Sequence, residues 1–182
     1  MTQILLPLAL LNKEDLQTLI TRSLSLTADQ YEPKKLPSLV KRLLALAPPA
    51  EKDVCKTRAL LAATSGNVPL WRLIRNSFNP YVYRSIMESY YSDIRTAAAK
   101  SGNVEMWHAV KKDKPIGYIA LWVYYAEAAL QSENPHMLFT VLEESPGEKL
   151  EYWTREEWEK QPPESMAEVI KAFRKKRRFS SL

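Results

Sequence analysis

Two histidines, His108 and His136, and one cysteine, Cys55, are the side chains from which this sequence would have to build nucleophilic catalysis. A histidine beside a cysteine takes its proton and leaves a thiolate, but the imidazole needs a third group to orient it. No spacing in the chain supplies that group. His108 follows Trp107 and reads as the polar neighbour of a core indole, while His136 falls in the first turn of a helix. There is no Gly-rich phosphate loop, no paired-cysteine metal spacing and no His-x-x-x-His. The carboxylates Glu143-Glu144 and Glu156-Glu157-x-Glu159 lie on helix faces expected to be solvated. These residues point away from an enzyme and from a metal or cofactor.

The remaining chemistry is that of binding. Arg174, Lys175, Lys176, Arg177 and Arg178 form the one strong charge signal. Such a run suits nuclear import, phosphate contact with nucleic acid, or an anionic lipid surface. It equally suits a solvated helix end, where cations meet the negative end of the dipole. Base-stacking aromatics are not interleaved with it. Tyrosines are the second signal: Tyr81, Tyr83, Tyr90, Tyr91, Tyr118, Tyr124 and Tyr125 exceed what one helix face can bury. Tyrosine carries much of the energy at protein interfaces, so these seven are the expected partner contacts. Packing between repeats is the competing use of the same rings. The connections Asn76–Pro80 and Lys111–Pro115 are expected to join them.

What must position these groups is a phrase written three times. It reads Ala62-Ala63-Thr64-Ser65-Gly66-Asn67, then Ala98-Ala99-Lys100-Ser101-Gly102-Asn103, then Ala129-Leu130-Gln131-Ser132-Glu133-Asn134. Apolar residues follow each Asn by three, four and seven: Leu70, Trp71, Ile74; Met106, Trp107, Val110; Met137, Leu138, Val141. That spacing is one helix face. The Gly suits a left-handed helix end and the Asn suits the next N-cap. Pro69 and Pro135 fall in a first turn, where a missing N–H is harmless. A phrase returning after 36 and then 31 residues marks stacked helical repeats.

The phrase resembles the helix–turn–helix part of ankyrin repeats, in which a small pair, a Gly-Asn or Gly-His turn and a second helix follow in this order. Thr57-Arg58-Ala59-Leu60-Leu61-Ala62-Ala63 keeps the Thr and the Ala pair of the ankyrin first-helix motif but lacks its Pro and His. The resemblance covers Thr57 to Val141. A generic α-hairpin repeat describes the same residues nearly as well, so the ankyrin binding surface is not carried over.

Around the repeats, Asn12 caps an expected helix with Leu16, Leu19, Ile20 and Leu24 inward, and Pro37-Ser38 opens another that Pro48-Pro49 stops. The long helices are expected at Glu51–Ser65, Pro80–Ser101 and Ile116–Ser132, with short partners at Val68–Asn76, Val104–Lys111 and Pro135–Glu144. After Ser145-Pro146-Gly147, Thr154-Arg155-Glu156-Glu157 reads as a capping box. Ser165 to about Arg178 is a last helix with Met166, Val169, Ile170 and Phe173 inward. The expected architecture is one all-α domain of stacked helix–turn–helix repeats. Residues 1–48 form an N-terminal cap, 49–144 three repeats, and 150–182 capping helices with a basic tail.

Composition sets the outer bounds. Only 4 Gly among 182 residues disfavours tight β turns, and a single cysteine excludes an internal disulfide and fits a reducing compartment. The net charge of +5 sits largely in the last dozen residues, which argues against a body-wide nucleic-acid surface. No stretch approaches the roughly 18 apolar residues of a membrane span. Ile4–Leu11 is apolar, but no basic residue precedes it, so a packed segment is expected rather than a cleaved signal. The expected role is a non-enzymatic protein–protein interaction module of the cytoplasm. Worn repeats also resemble those of effectors that intracellular bacteria deliver into host cells without a cleavable signal, and the Glu156–Glu159 cluster resembles an acidic secretion patch. The alternative role is a nucleic-acid or anionic-membrane binder working through the basic C-terminal helix.

Overall fold

The structure, a computed structural model, describes residues 12–25, 36–47, 50–146, 150–160 and 162–180. The Ile4–Leu11 segment and the Pro48-Pro49 stop lie outside the described residues, as do the side chains of Lys176, Arg177 and Arg178. Among the described residues the regular elements are α-helical and none is a strand. None of these helices is long and apolar enough to cross a membrane. The chain divides into two compact units, Met1–Tyr90 and Tyr91–Leu182.

The first unit holds α1 (Lys13–Leu24), α2 (Leu36–Leu46), α3 (Lys52–Thr64), α4 (Val68–Ser77) and the start of α5 (Pro80–Lys100). Asn12 caps α1, its side chain accepting from the Asp15 amide at 2.9 Å. Leu16, Ile20 and Leu24 then face α2 and α3, and α4 packs against α2 and α3. Along α3 the buried residues other than Arg58 are small: Cys55, Ala59, Ala62 and Ala63. They let the helix approach its neighbours closely. Trp71 and Ile74 of α4 fill the space beside them.

The second unit holds the rest of α5, α6 (Val104–Lys111), α7 (Trp122–Gln131), α8 (Pro135–Glu144), α9 (Glu151–Glu159) and α10 (Glu164–Ser180). Helix α8 is its centre and touches α6, α7 and α10. Met137, Leu138, Val141 and Leu142 of α8 join Trp107, Tyr125, Trp153, Met166, Ile170 and Phe173 in one core.

The Asn corner has the same local geometry three times. At each, the Ser hydroxyl donates to the carbonyl three residues back: Ser65 to Ala62 at 2.8 Å, Ser101 to Ala98 at 2.7 Å and Ser132 to Ala129 at 2.6 Å. Each Asn amide then donates to that Ser hydroxyl. Each Asn side chain accepts from the amide three residues on, at Leu70, Met106 and Met137. The residue between Ser and Asn is left-handed: Gly66 at φ 66, Gly102 at φ 69 and Glu133 at φ 55. The second and third corners also touch, because Asn134 Nδ2 donates to the Gly102 carbonyl at 2.7 Å.

Glu133 is the one side chain that this backbone strains. A left-handed non-Gly residue costs roughly 1–2 kcal/mol, and glycine's greater freedom in the unfolded chain returns part of that. Glu133→Gly should therefore stabilise the protein by about 0.5–1 kcal/mol in denaturant titration. Gly102→Ala should do the reverse, since any side chain is strained at φ 69, although its Cβ would meet Asn134 and Ser132 only in ordinary contact at 3.4 Å.

Two sequence expectations are corrected. Residues 112–121 are not helical, and α7 begins only at Trp122. Pro115-Ile116-Gly117-Tyr118 instead makes a turn, with the Tyr118 amide on the Pro115 carbonyl and Gly117 at φ 74. A Gly at the third position with positive φ is the type II turn signature. Thr154 does not cap α9, because the helix has already begun at Glu151 and Thr154 is buried inside it. Burial of Leu150 and Trp153 draws the helix start upstream.

Candidate functional site

The polar chemistry of the second unit converges on Arg95. This residue lies on the buried face of α5, one position after Ile94, and is 4% exposed. Its guanidinium carbon stands 3.6 Å from the centre of the Trp107 ring, 5.6 Å from that of Tyr125 and 6.0 Å from that of Tyr91. Nη1 donates to the Tyr91 hydroxyl at 2.9 Å, and Nη2 donates to Glu144 Oε2 at 3.1 Å. Glu144 ends α8 and is also met by Lys111 Nζ at 2.9 Å and His108 Nδ1 at 3.5 Å. Two permanent cations, Arg95 and Lys111, thus share one carboxylate. Glu144 is 16% exposed. The solvated face expected for it is replaced by this pairing, because a buried guanidinium needs an anion.

Aromatic rings continue the arrangement outward. Tyr118 stands edge-on to Tyr91 at 4.6 Å and bonds hydroxyl to hydroxyl with Tyr125. Tyr125 is edge-on to Trp107 at 5.5 Å and to Trp122 at 5.8 Å. Tyr118 belongs to the irregular stretch between α6 and α7, so the stretch is pinned to the core at that point. Around the pin, Ile116 is fully exposed, Ile119 is 74% exposed and Tyr124 is 58% exposed. Leu121 and Val123 are exposed as well. Lys112 and Lys114, also exposed, precede these apolar groups in the chain. Single exposed apolar side chains are ordinary, but a contiguous group of them marks a contact surface.

The seven tyrosines therefore divide. Tyr91 and Tyr125 are buried, which removes them from the expected partner contacts, and their work is to hold Arg95 and Tyr118. Tyr118 is half-buried and anchors the stretch. Tyr124 is exposed among the apolar group, whereas Tyr81, at 83%, is exposed near the start of α5 in the first unit. Tyr90 lies under Lys56 and Lys52, with ring-centre distances of 4.0 and 5.7 Å, and Tyr83 lies under Arg75 at 5.6 Å. Of the two expected connections, Lys111–Pro115 leads directly into the exposed apolar group. At the C-terminal end of the chain, Arg174 is half-buried and Lys175 exposed. Glu157 is buried and takes a hydrogen bond from Lys160 at 2.5 Å, so Glu156 and Glu159 are the exposed members of that acidic cluster.

Burial makes the Tyr125 and Tyr91 hydroxyls hold their protons beyond the ordinary tyrosine range. The Tyr118 hydrogen bond adds to this at Tyr125, and Arg95 opposes it at Tyr91. Both folded values lie above the unfolded value of about 10. Below that pH both states keep the protons, and these groups give no pH dependence. Above it only the unfolded chain ionises, and stability falls by about 1.4 kcal/mol per pH unit for each tyrosine. Denaturation midpoints should hold steady through these groups up to about pH 10 and then drop. In Tyr125→Phe the drop should be shallower.

Two phenols that hold their protons are poor bases. His108 with Glu144 is a histidine–carboxylate pair. No group of three or more His, Cys, Asp and Glu is placed to hold a metal among the described residues. What the arrangement does chemically is fix an apolar, cation-flanked stretch on a rigid base. Arg95 and Glu144 were not singled out in the sequence because 49 positions separate them. The only sequence signal was an arginine in register with the buried stripe of α5. In comparisons with known proteins, no family model, no curated protein and no solved structure matches the chain.

Proposed function

We propose that the protein is a helical-repeat interaction module whose partner is another protein, gripped by residues 116–124. The occupant of this surface is an acidic segment carrying a large apolar side chain. The observation that carries the reading is the exposure, within residues 116–124, of Ile116, Ile119, Leu121, Val123 and Tyr124 on a stretch that Tyr118 ties to the core. Complementary charge supports an acidic partner: Lys112 and Lys114 are exposed next to the stretch. Preorganisation supports affinity, because a pinned stretch loses little freedom on binding. A lipid surface is the weaker fit. Non-helical backbone enters hydrocarbon only at the expense of its polar groups, whereas a protein segment can pair with them.

The three like corners, and the Asn134–Gly102 bond between two of them, support the repeat reading. In it, α1 with α2 and α9 with α10 serve as capping helices. The test is a display selection of random peptides on the immobilised full chain. Selected peptides should combine Asp or Glu with Leu, Ile or Phe, and truncation after Phe173 should leave their binding unchanged. Recovery of basic peptides, or binding that needs the Arg174–Arg178 run, overturns the proposal. So does capture of anionic vesicles through the same stretch.

A further inference from the structure

We infer that the first unit carries a second, independent site: a pocket that takes a small monocarboxylate with an apolar body, seated on Arg58. A cavity of about 500 Å³ is lined by Leu44, Phe78, Val82, Cys55, Arg58 and Asn79, with Ala47, Ala50 and Ser77. That is within the size range of small-molecule pockets, as is its mostly apolar wall with a few polar groups.

Arg58 is what requires a ligand. It is 3% exposed, on the inner face of α3. One nitrogen, Nη2, donates to the Gln17 side chain, which is neutral. Nε is buried with no hydrogen-bond partner. Among the described residues no carboxylate pairs with the guanidinium, in contrast to Arg95 with Glu144. Burial accordingly lowers its pKa from the usual arginine value. A buried cation without an anion is costly, and an anion drawn into the adjoining cavity removes the cost. A carboxylate matches the planar fork of the guanidinium. Asn79 supplies a second donor, since its Oδ1 is already engaged by the Tyr81 amide at 2.9 Å. Phosphate fits less well. The Ser77 hydroxyl is committed to the Ile74 carbonyl at 2.7 Å, and among the described residues Arg58 is the only cation in the lining. Leu44, Phe78 and Val82 then receive the apolar body.

The chain's single cysteine lies in the pocket wall and reports its occupancy. The full-length protein is alkylated with N-ethylmaleimide, a neutral reagent, in the presence of hexanoate, hexanamide or inorganic phosphate. Hexanoate should slow Cys55 alkylation roughly fivefold or more at saturation and raise the melting temperature. Hexanamide, of like shape but uncharged, and phosphate should do neither. Arg58→Met should abolish the hexanoate effect. Val82→Phe, which fills the cavity and leaves Arg58 in place, should abolish it too, and decides the matter if Arg58→Met does not fold. Equal protection by hexanamide, protection by phosphate, protection that survives Val82→Phe, or no effect of hexanoate overturns the inference. None of these outcomes bears on the partner surface of the second unit.

Discussion

Glu144→Ala should lower the stability of the second unit by about 3–5 kcal/mol, the cost of leaving a buried charge without its partner. Arg95 would keep the Tyr91 hydroxyl and the faces of Trp107, Tyr125 and Tyr91, but lose the carboxylate that it bonds. A desolvated cation over an aromatic ring recovers about 2 kcal/mol, which is less than the penalty. Arg95→Met should cost only about 1 kcal/mol. Methionine refills the volume and sets sulfur against the same rings. Glu144 is not stranded by that change, since it retains Lys111 at 2.9 Å. The asymmetry is the informative part. Equal losses in the two variants, measured by denaturant titration, would mean that the ion pair does not organise this core. Against a typical total of 5–15 kcal/mol, Glu144→Ala brings the second unit close to unfolding at ambient temperature.

The second large effect is on binding. Ile119→Asp combined with Tyr124→Ser should weaken a selected acidic peptide by at least about 100-fold. Loss of two apolar anchors at the centre of a contact is worth about 2 kcal/mol each or more, and a new carboxylate there repels an acidic partner. Both side chains point to solvent, so the melting temperature should stay within about a degree of the parent's. A Tyr81→Ser variant, altered at a more exposed tyrosine outside the stretch, should bind as the parent does. If it is Tyr81→Ser that loses the peptide, the surface lies on the first unit and the assignment to residues 116–124 is wrong.

How much of this was legible in the sequence depends on how far each interaction reaches along the chain. The three corners were legible because their bonds close within nine residues, Ala62 to Leu70 in the first. So were the buried stripes of α4, α6, α8 and α10, which follow from helical spacing alone. The stretch from Ile116 to Leu121, expected as the start of the third long helix, is not helical. Its apolar and aromatic residues have helical composition, and the Pro-Ile-Gly-Tyr turn signal was outweighed. What decides its form is Tyr118 reaching Tyr91 and Tyr125, a contact invisible in local pattern. The tyrosines were counted correctly as too many for one face, but sequence did not divide the buried pair from the exposed ones. Arg58 illustrates the same limit, since its partner Gln17 lies 41 residues away.

The central claim is that residues 116–124 form the partner surface, rigid before binding and covered after it. Amide hydrogen exchange of the full chain, with and without a selected acidic peptide, tests it most directly. The prediction is slowed exchange across 116–124 and in the first turn of α7, with Tyr118 already protected in the free protein. Slowing confined to the start of α5 around Tyr81, or to α10, would contradict it.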